Sequence, residues 1–153
     1  MQLAAKYKKT LIVGTTGLSE SDETAIKKAA EETVIIYAAN MSVGVNLLLA
    51  LVEKAAARLD SDWDIEINET HHRFKVDAPS GTALALGKAA ATGRGNNLDN
   101  LAEYERHGQI GARDKGKIGF SVMRGGDVVG EHTVFFFGEG ERIELTHKAT
   151  NRS

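Results

Sequence analysis

The segment HHRFKVDAPSGTA, residues 71 to 83, gathers groups that move protons and hold anions. An imidazole exchanges protons near neutral pH, and two stand side by side at His71 and His72. Lys75 adds a positive charge four residues after His71. On an extended strand His71 and His72 point to opposite faces, whereas His71, Arg73 and Lys75 share one. Pro79, the only proline of the chain, cannot sit inside a central strand. Ser80 then predicts a helix N-cap, followed by Gly81, Thr82 and Ala83, whose N–H groups precede the first intrahelical hydrogen bond. Glycine at the first helical position lets an anion come close. The segment predicts a pocket for a small carboxylate-bearing molecule, with a histidine placed for acid–base work. The same residues also fit a solvated turn and an ordinary capped helix, and spacing alone leaves both open. A metal site is not expected: adjacent strand histidines diverge, and no nearby ligand pair has helical i, i+4 spacing.

Two other loops mark a possible crevice rim. VGTTG, residues 13 to 17, and AANMS, residues 38 to 42, each follow a short apolar run. Ligands of α/β folds bind at the carboxyl ends of parallel strands. No G-x-G-x-x-G motif follows a first strand, so no pyrophosphate site is visible. His132 and His147 fall on expected strands and read as structural. Arg106, Arg113 and Arg124 read as solvated.

Periodicity supplies the elements that hold these groups. A short helix over residues 1 to 9 precedes an apolar strand over 10 to 13 and a helix capped by Ser19 or Ser21 that runs to about Glu32. A second apolar strand covers 33 to 37. Strand–helix–strand with apolar strands predicts buried parallel pairing. Ser42 caps a helix over 43 to 59 that is apolar almost all round and is expected to be mostly buried. Residues 64 to 70 alternate, with Ile65 and Ile67 opposite Glu66 and Asn68, as a half-buried strand does. A helix from Ser80 to about 91 is followed by a long loop over 92 to 117 with one helical turn near 97 to 104. Strands at 118 to 123, 128 to 137 and 142 to 148 read as an antiparallel meander, with Arg124-Gly125-Gly126-Asp127 as its first hairpin turn.

Composition narrows the function classes. Apolar residues make up 42% and charged residues 26%, which places the chain among globular proteins rather than disordered ones. A net charge of -2 does not favour nucleic acid. The chain has no cysteine, which excludes thiolate catalysis, and with it aspartate-semialdehyde-type dehydrogenase chemistry. No stretch approaches ~18 consecutive apolar residues, so no membrane span is expected.

ETHHRFKVDAPSGTALALG resembles the signature segment of the dihydrodipicolinate (4-hydroxy-tetrahydrodipicolinate) reductase family. VGTTG, AANMSVGVN, RHGQIGARDKGKIGFSVMRGGDVVGEHTVFF and ERIELTHKATNR are similar to the family in the family's order. His107 departs from it, standing where an acidic residue is expected. The resemblance implies an α/β fold: residues 1–42 as the last part of a Rossmann-like dinucleotide domain, then residues 43–153 as a substrate-binding and tetramerisation domain. The second domain would be a mixed, largely antiparallel sheet with helices on one face. It implies NADPH- or NADH-dependent reduction of a small cyclic dicarboxylate in the diaminopimelate route to lysine. His71 and Lys75 would be the catalytic proton-handling residues, and His72, Gly81 and Thr82 would hold substrate carboxylate. Gly14, Thr15, Thr16, Ala38, Ala39, Asn40 and Met41 would line the nicotinamide end of the cofactor. A cytoplasmic homotetramer, built through the antiparallel sheet, is the implied assembly. The family's first strand and Gly-rich loop, and its closing segment, have no counterpart here. The chain is therefore expected to be a piece of such an enzyme with weak or no turnover. The other reading is a non-catalytic substrate-binding or oligomerisation domain.

Overall fold

The computed structural model describes residues 1–15, 18–38 and 40–151. They form two compact units, Met1–Met41 and Ser42–Ser153. The first holds α1 (Gln2–Lys6), β1 (Leu11–Val13), α2 (Glu20–Ala30) and β2 (Ile35–Tyr37). Ser19 caps α2 in a reciprocal box with Asp22, and the first turn carries Glu20, Asp22 and Glu23, as the helix dipole favours. β1 and β2 pair in parallel, Leu11 opposite Ile35. The strands are less buried than their composition predicts: Ile12 is 65% and Ile36 48% exposed. β1 alternates as a strand covered on one side does, with Leu11 and Val13 partly buried and Ile12 outward, whereas in β2 Ile35 is partly buried and both Ile36 and Tyr37 are exposed.

The second unit contains α3 (Val43–Arg58), β3 (Asp64–His71), α4 (Gly81–Gly93), α5 (Leu98–Leu101), β4 (Ala102–Glu103), β5 (Ile118–Arg124), β6 (Gly130–Gly138) and β7 (Glu141–Ala149). Ser42 and Ser80 cap α3 and α4 through their hydroxyls, which accept from Val45 N and Ala83 N. The sheet order is β4-β5-β3-β6-β7. α3 and α4 pack together over one sheet face, where Val52, Ile65, Ile67, Leu86, Ile118, Val134 and Phe136 form the core. Gly87 permits the approach of α4 to the sheet, since a Cβ there would lie 2.6 Å from Phe120 Cζ. α3 is not buried all round. Val45, Leu48, Val52 and Ala56 form its inner stripe, while Leu47 is 60% and Val43 86% exposed.

The expected meander is replaced by a different topology. β5 and β6 are not neighbours, because β3 lies between them, parallel to β5 and antiparallel to β6. Residues 125 to 129 form an arch over the carboxyl end of β3 rather than a hairpin. The arch binds the strand it crosses: Gly125 N donates to His71 O (3.0 Å), His72 N to Val128 O (2.7 Å) and Arg73 N to Gly126 O (3.3 Å). Gly126, at φ 53°, supplies the left-handed residue the arch needs. Among the described residues only β6 and β7 form a hairpin, turning at Gly140 (φ 79°).

Candidate active site

The period of β3 assembles the site. Ile65, Ile67, Glu69 and His71 alternate on its inner face, so an apolar strand face ends in a carboxylate and an imidazole. Glu69 is 1% exposed. Burial would raise its pKa. Hydrogen bonds from Arg124, His71 and Ser80 outweigh that, and the net displacement is downward. Arg124 grips it with both terminal nitrogens: Nη1 to Oε2 and Nη2 to Oε1, each at 2.8 Å. Ser80 N donates to Oε1 at 2.9 Å, and His71 Nδ1 lies 2.5 Å from Oε2. The carboxylate thereby joins β3, β5 and the start of α4 at one point.

His132, on β6 opposite Glu69, completes the cluster. Its ring stands edge-on to that of His71, centroids 5.1 Å apart, and its Nε2 is 3.0 Å from Ser80 Oγ. Burial, reinforced by His71 and opposed by Glu69, lowers its pKa to about 4, so it is neutral at physiological pH. His147 lies beside it in register on β7.

Of the residues predicted from sequence, His71, His72, Lys75, Gly81 and Thr82 all lie in the second unit, at the carboxyl end of β3 and the start of α4. β3 ends at His71, so Arg73 and Lys75 share no strand face with it. Lys75 follows a turn closed by its own N–H on His72 O, and its ammonium reaches Asp77 Oδ1 at 2.7 Å. That contact lowers the pKa of Asp77. The Ala78–Pro79 peptide is cis. Gly81 and Thr82 open α4, where N–H groups precede the intrahelical ladder. The predicted rim residues lie in the first unit. Ala38 N donates to Val13 O at 3.2 Å, which places Gly14 and Ala38 together at the carboxyl ends of β1 and β2. A Cβ on Gly14 would lie 3.9 Å from Met41 Cε. Thr15 and Asn40 belong to the same two loops, while Thr16 and Ala39 lie outside the described residues.

Glu69, Arg124 and His132 are cluster members that the sequence reading left out. The signal for Glu69 and His132 is present: each sits at period two with buried neighbours, Ile67 for one and Val134 for the other. Arg124 is not solvated, because it ends β5 in register with His71 and binds Glu69. Arg106 and Arg113 are corrected in the same way. Both bind Glu66 on the outer sheet face, Arg106 through two nitrogens (2.9 and 2.7 Å) and Arg113 through Nε (2.9 Å).

A parallel strand–helix–strand unit, followed by a mixed sheet that carries a carboxylate–histidine pair at a helix start, defines a two-unit α/β protein. The chain belongs to the dihydrodipicolinate reductase family. The family model for the dihydrodipicolinate reductase C-terminus matches residues 44–153, and that for the N-terminus matches residues 1–41. The 4-hydroxy-tetrahydrodipicolinate reductase of Zymomonas mobilis subsp. mobilis is 55% identical over 152 residues, covering 99% of this chain and 60% of the relative. That of Burkholderia multivorans is 52% identical, covering 99% and 57%. A solved structure, dipicolinate-bound dihydrodipicolinate reductase from Paenisporosarcina sp. TG-14, superposes with a TM-score of 0.68 at 25% identity, covering 98% of this chain and 57% of that one. The chain thus spans little more than half the length of the relatives it matches.

Proposed function

We propose that this chain provides the substrate site and the nicotinamide-side rim of a cytoplasmic 4-hydroxy-tetrahydrodipicolinate reductase. Residues 1–42 act as part of the dinucleotide domain and residues 43–153 as the substrate domain. One observation supports this above others: His71, held by a buried carboxylate, stands one hydrogen-bonded group away from the start of α4, in the segment that carries Lys75. Gly81 and Thr82, with His72, hold the carboxylates of the cyclic substrate. Lys75 offsets their charge, and His71 delivers the proton that completes the reduction.

The residues at the ends of β1 and β2 fit the nicotinamide end of NADH or NADPH. Gly14 carries no side chain there, and Met41 supplies an apolar neighbour. When bound, the dihydronicotinamide supplies a hydride to the substrate ring. Dipicolinate, a flat dicarboxylate, tests the site without turnover. At a hundredfold excess over Kd it adds about 2.7 kcal/mol to stability, so the melting temperature of the chain rises by several degrees. His71→Ala combined with Lys75→Ala abolishes the rise. No rise in the wild type, or an equal rise in the double variant, overturns the reading.

A second reading, self-assembly through the sheet, is supported by the outer face. There Phe135 and Phe137 stack with centroids 5.5 Å apart, and Phe137 is 37% and Met123 51% exposed. The two readings are compatible.

A further inference from the structure

We propose that Glu69 is a positioning residue that fixes His71 as the Nδ1–H tautomer and so makes Nε2 the nitrogen that exchanges the proton. This deepens the reading of His71 as the acid–base group and rests on it.

Glu69 receives four hydrogen bonds: Ser80 N and Arg124 Nη2 at Oε1, and Arg124 Nη1 and His71 Nδ1 at Oε2. A backbone amide and a guanidinium can only donate. They hold the carboxyl as an anion, and a carboxylate can only accept. The fourth partner must therefore donate too, so the proton sits on Nδ1 whether the ring is neutral or charged. Nε2 is left to gain or lose the other proton. When it gives that proton up, the N–H pair stays on Nε2 as a lone pair and the new bond forms at the substrate.

Two neighbours suit this division. Gly130 faces the working edge, where a Cβ would come within 3.0 Å of Nε2 and 3.3 Å of Cδ2. His132 packs edge-on against the ring as a neutral group, so it adds no second cation. A mere ion pair between Glu69 and Arg124 would not need a histidine on its remaining acceptor site. The arrangement follows the logic by which a buried carboxylate sets the tautomer of a catalytic imidazole.

Glu69→Gln distinguishes positioning from simple support. With its carbonyl at the Oε1 place, glutamine keeps the bonds from Ser80 N and Arg124 Nη2 and meets one donor–donor conflict, at Nη1. The reverse placement meets two. The amide NH₂ therefore turns toward His71, Nδ1 becomes an acceptor, and the ring proton moves to Nε2.

Long-range ¹H–¹⁵N NMR of the chain reads this directly. In wild type His71 shows a protonated Nδ1 with a far-downfield proton. In alkaline buffer, where imidazole is neutral, Glu69→Gln loses that proton signal and shows Nε2–H. Should the variant not fold, the wild-type spectrum decides alone: a bare Nδ1 in the folded chain overturns the proposal. A folded variant that keeps Nδ1–H also overturns it. Dipicolinate added to wild type separates the two claims. A protonated Nδ1 without any dipicolinate-induced stabilisation supports the positioning and removes the functional reading alone. Stabilisation with a bare Nδ1 does the reverse.

Discussion

A carboxylate in an apolar wall survives only when every lone pair is answered, and Glu69 meets that condition with partners from three elements. His132 meets burial differently, by staying neutral. Its folded pKa of about 4 lies below the ordinary histidine value of 6.5, so between those limits the unfolded chain binds more protons than the folded one. Stability is then full above about pH 6.5 and falls as the pH drops toward 4. A displacement of that size corresponds to a loss on the order of 3 kcal/mol. His71, His147 and Lys75 deepen the effect and Glu69 opposes it. Glu69 itself contributes in the same direction but at lower pH, below the ordinary glutamate value of 4.5. His132→Gln keeps a polar partner for Ser80 Oγ and removes the titration. Urea midpoints measured from pH 7.5 to 4.5 will decline less in this variant than in wild type. Parallel declines would show that another group carries the slope.

At the scale of elements, local chemistry and distant pairing divide what could be read in advance. The starts of α2, α3 and α4 are legible because Ser19, Ser42 and Ser80 act on N–H groups only three residues away. The segment from His71 to Thr82 is legible as a proton-handling and anion-holding stretch for the same reason. The order of strands is not. An Arg-Gly-Gly-Asp turn looks alike whether it joins adjacent strands or spans two strand spacings, about 10 Å. The rest of the site depends on that order, since Arg124 meets Glu69 across 55 residues and His132 meets Ser80 across 52.

The irregular stretch from 105 to 117 shows the same dependence. Arg113 binds Glu66 and Asp64 and also donates to the carbonyls of Ile65 and Lys117 (3.0 and 2.7 Å). Gly119, opposite Glu66, has no side chain to obstruct the ion pair. Hydrogen bonds to charged groups contribute about 1.5–3 kcal/mol each. Arg113→Ala is therefore expected to cost roughly 3 kcal/mol and to speed amide exchange across 105 to 117 while α4 stays protected. Unchanged exchange there would show that the loop is held by something else.

At the scale of the molecule, the self-assembly proposed above makes the outer sheet face the surface on which copies of the chain would meet. Phe135 and Phe137 stack on it, and Thr133 and Thr146 pair through their hydroxyls at 3.0 Å. Phe137→Glu puts a charge into that patch, so light scattering at tens of micromolar should report a smaller species than wild type, with unchanged circular dichroism. A wild-type chain that is already monomeric would remove the assembly reading.

The arch over β3 also carries a consequence for how the sheet comes together. Strands 118–124 and 130–138 have no edge to offer one another, because each forms its ladder with the strand laid between them. Apart from the two-residue ladder of 102–103 with 118–119, the described carboxyl-terminal strands ahead of the last hairpin pair through a strand that lies some fifty residues earlier in the chain. The strand that pairs in parallel with this middle strand ends in Arg124, just before the loop that closes over it. Arg124 thus belongs both to the ladder on the middle strand and to the ionic cluster, so one residue ties the strand order to the site.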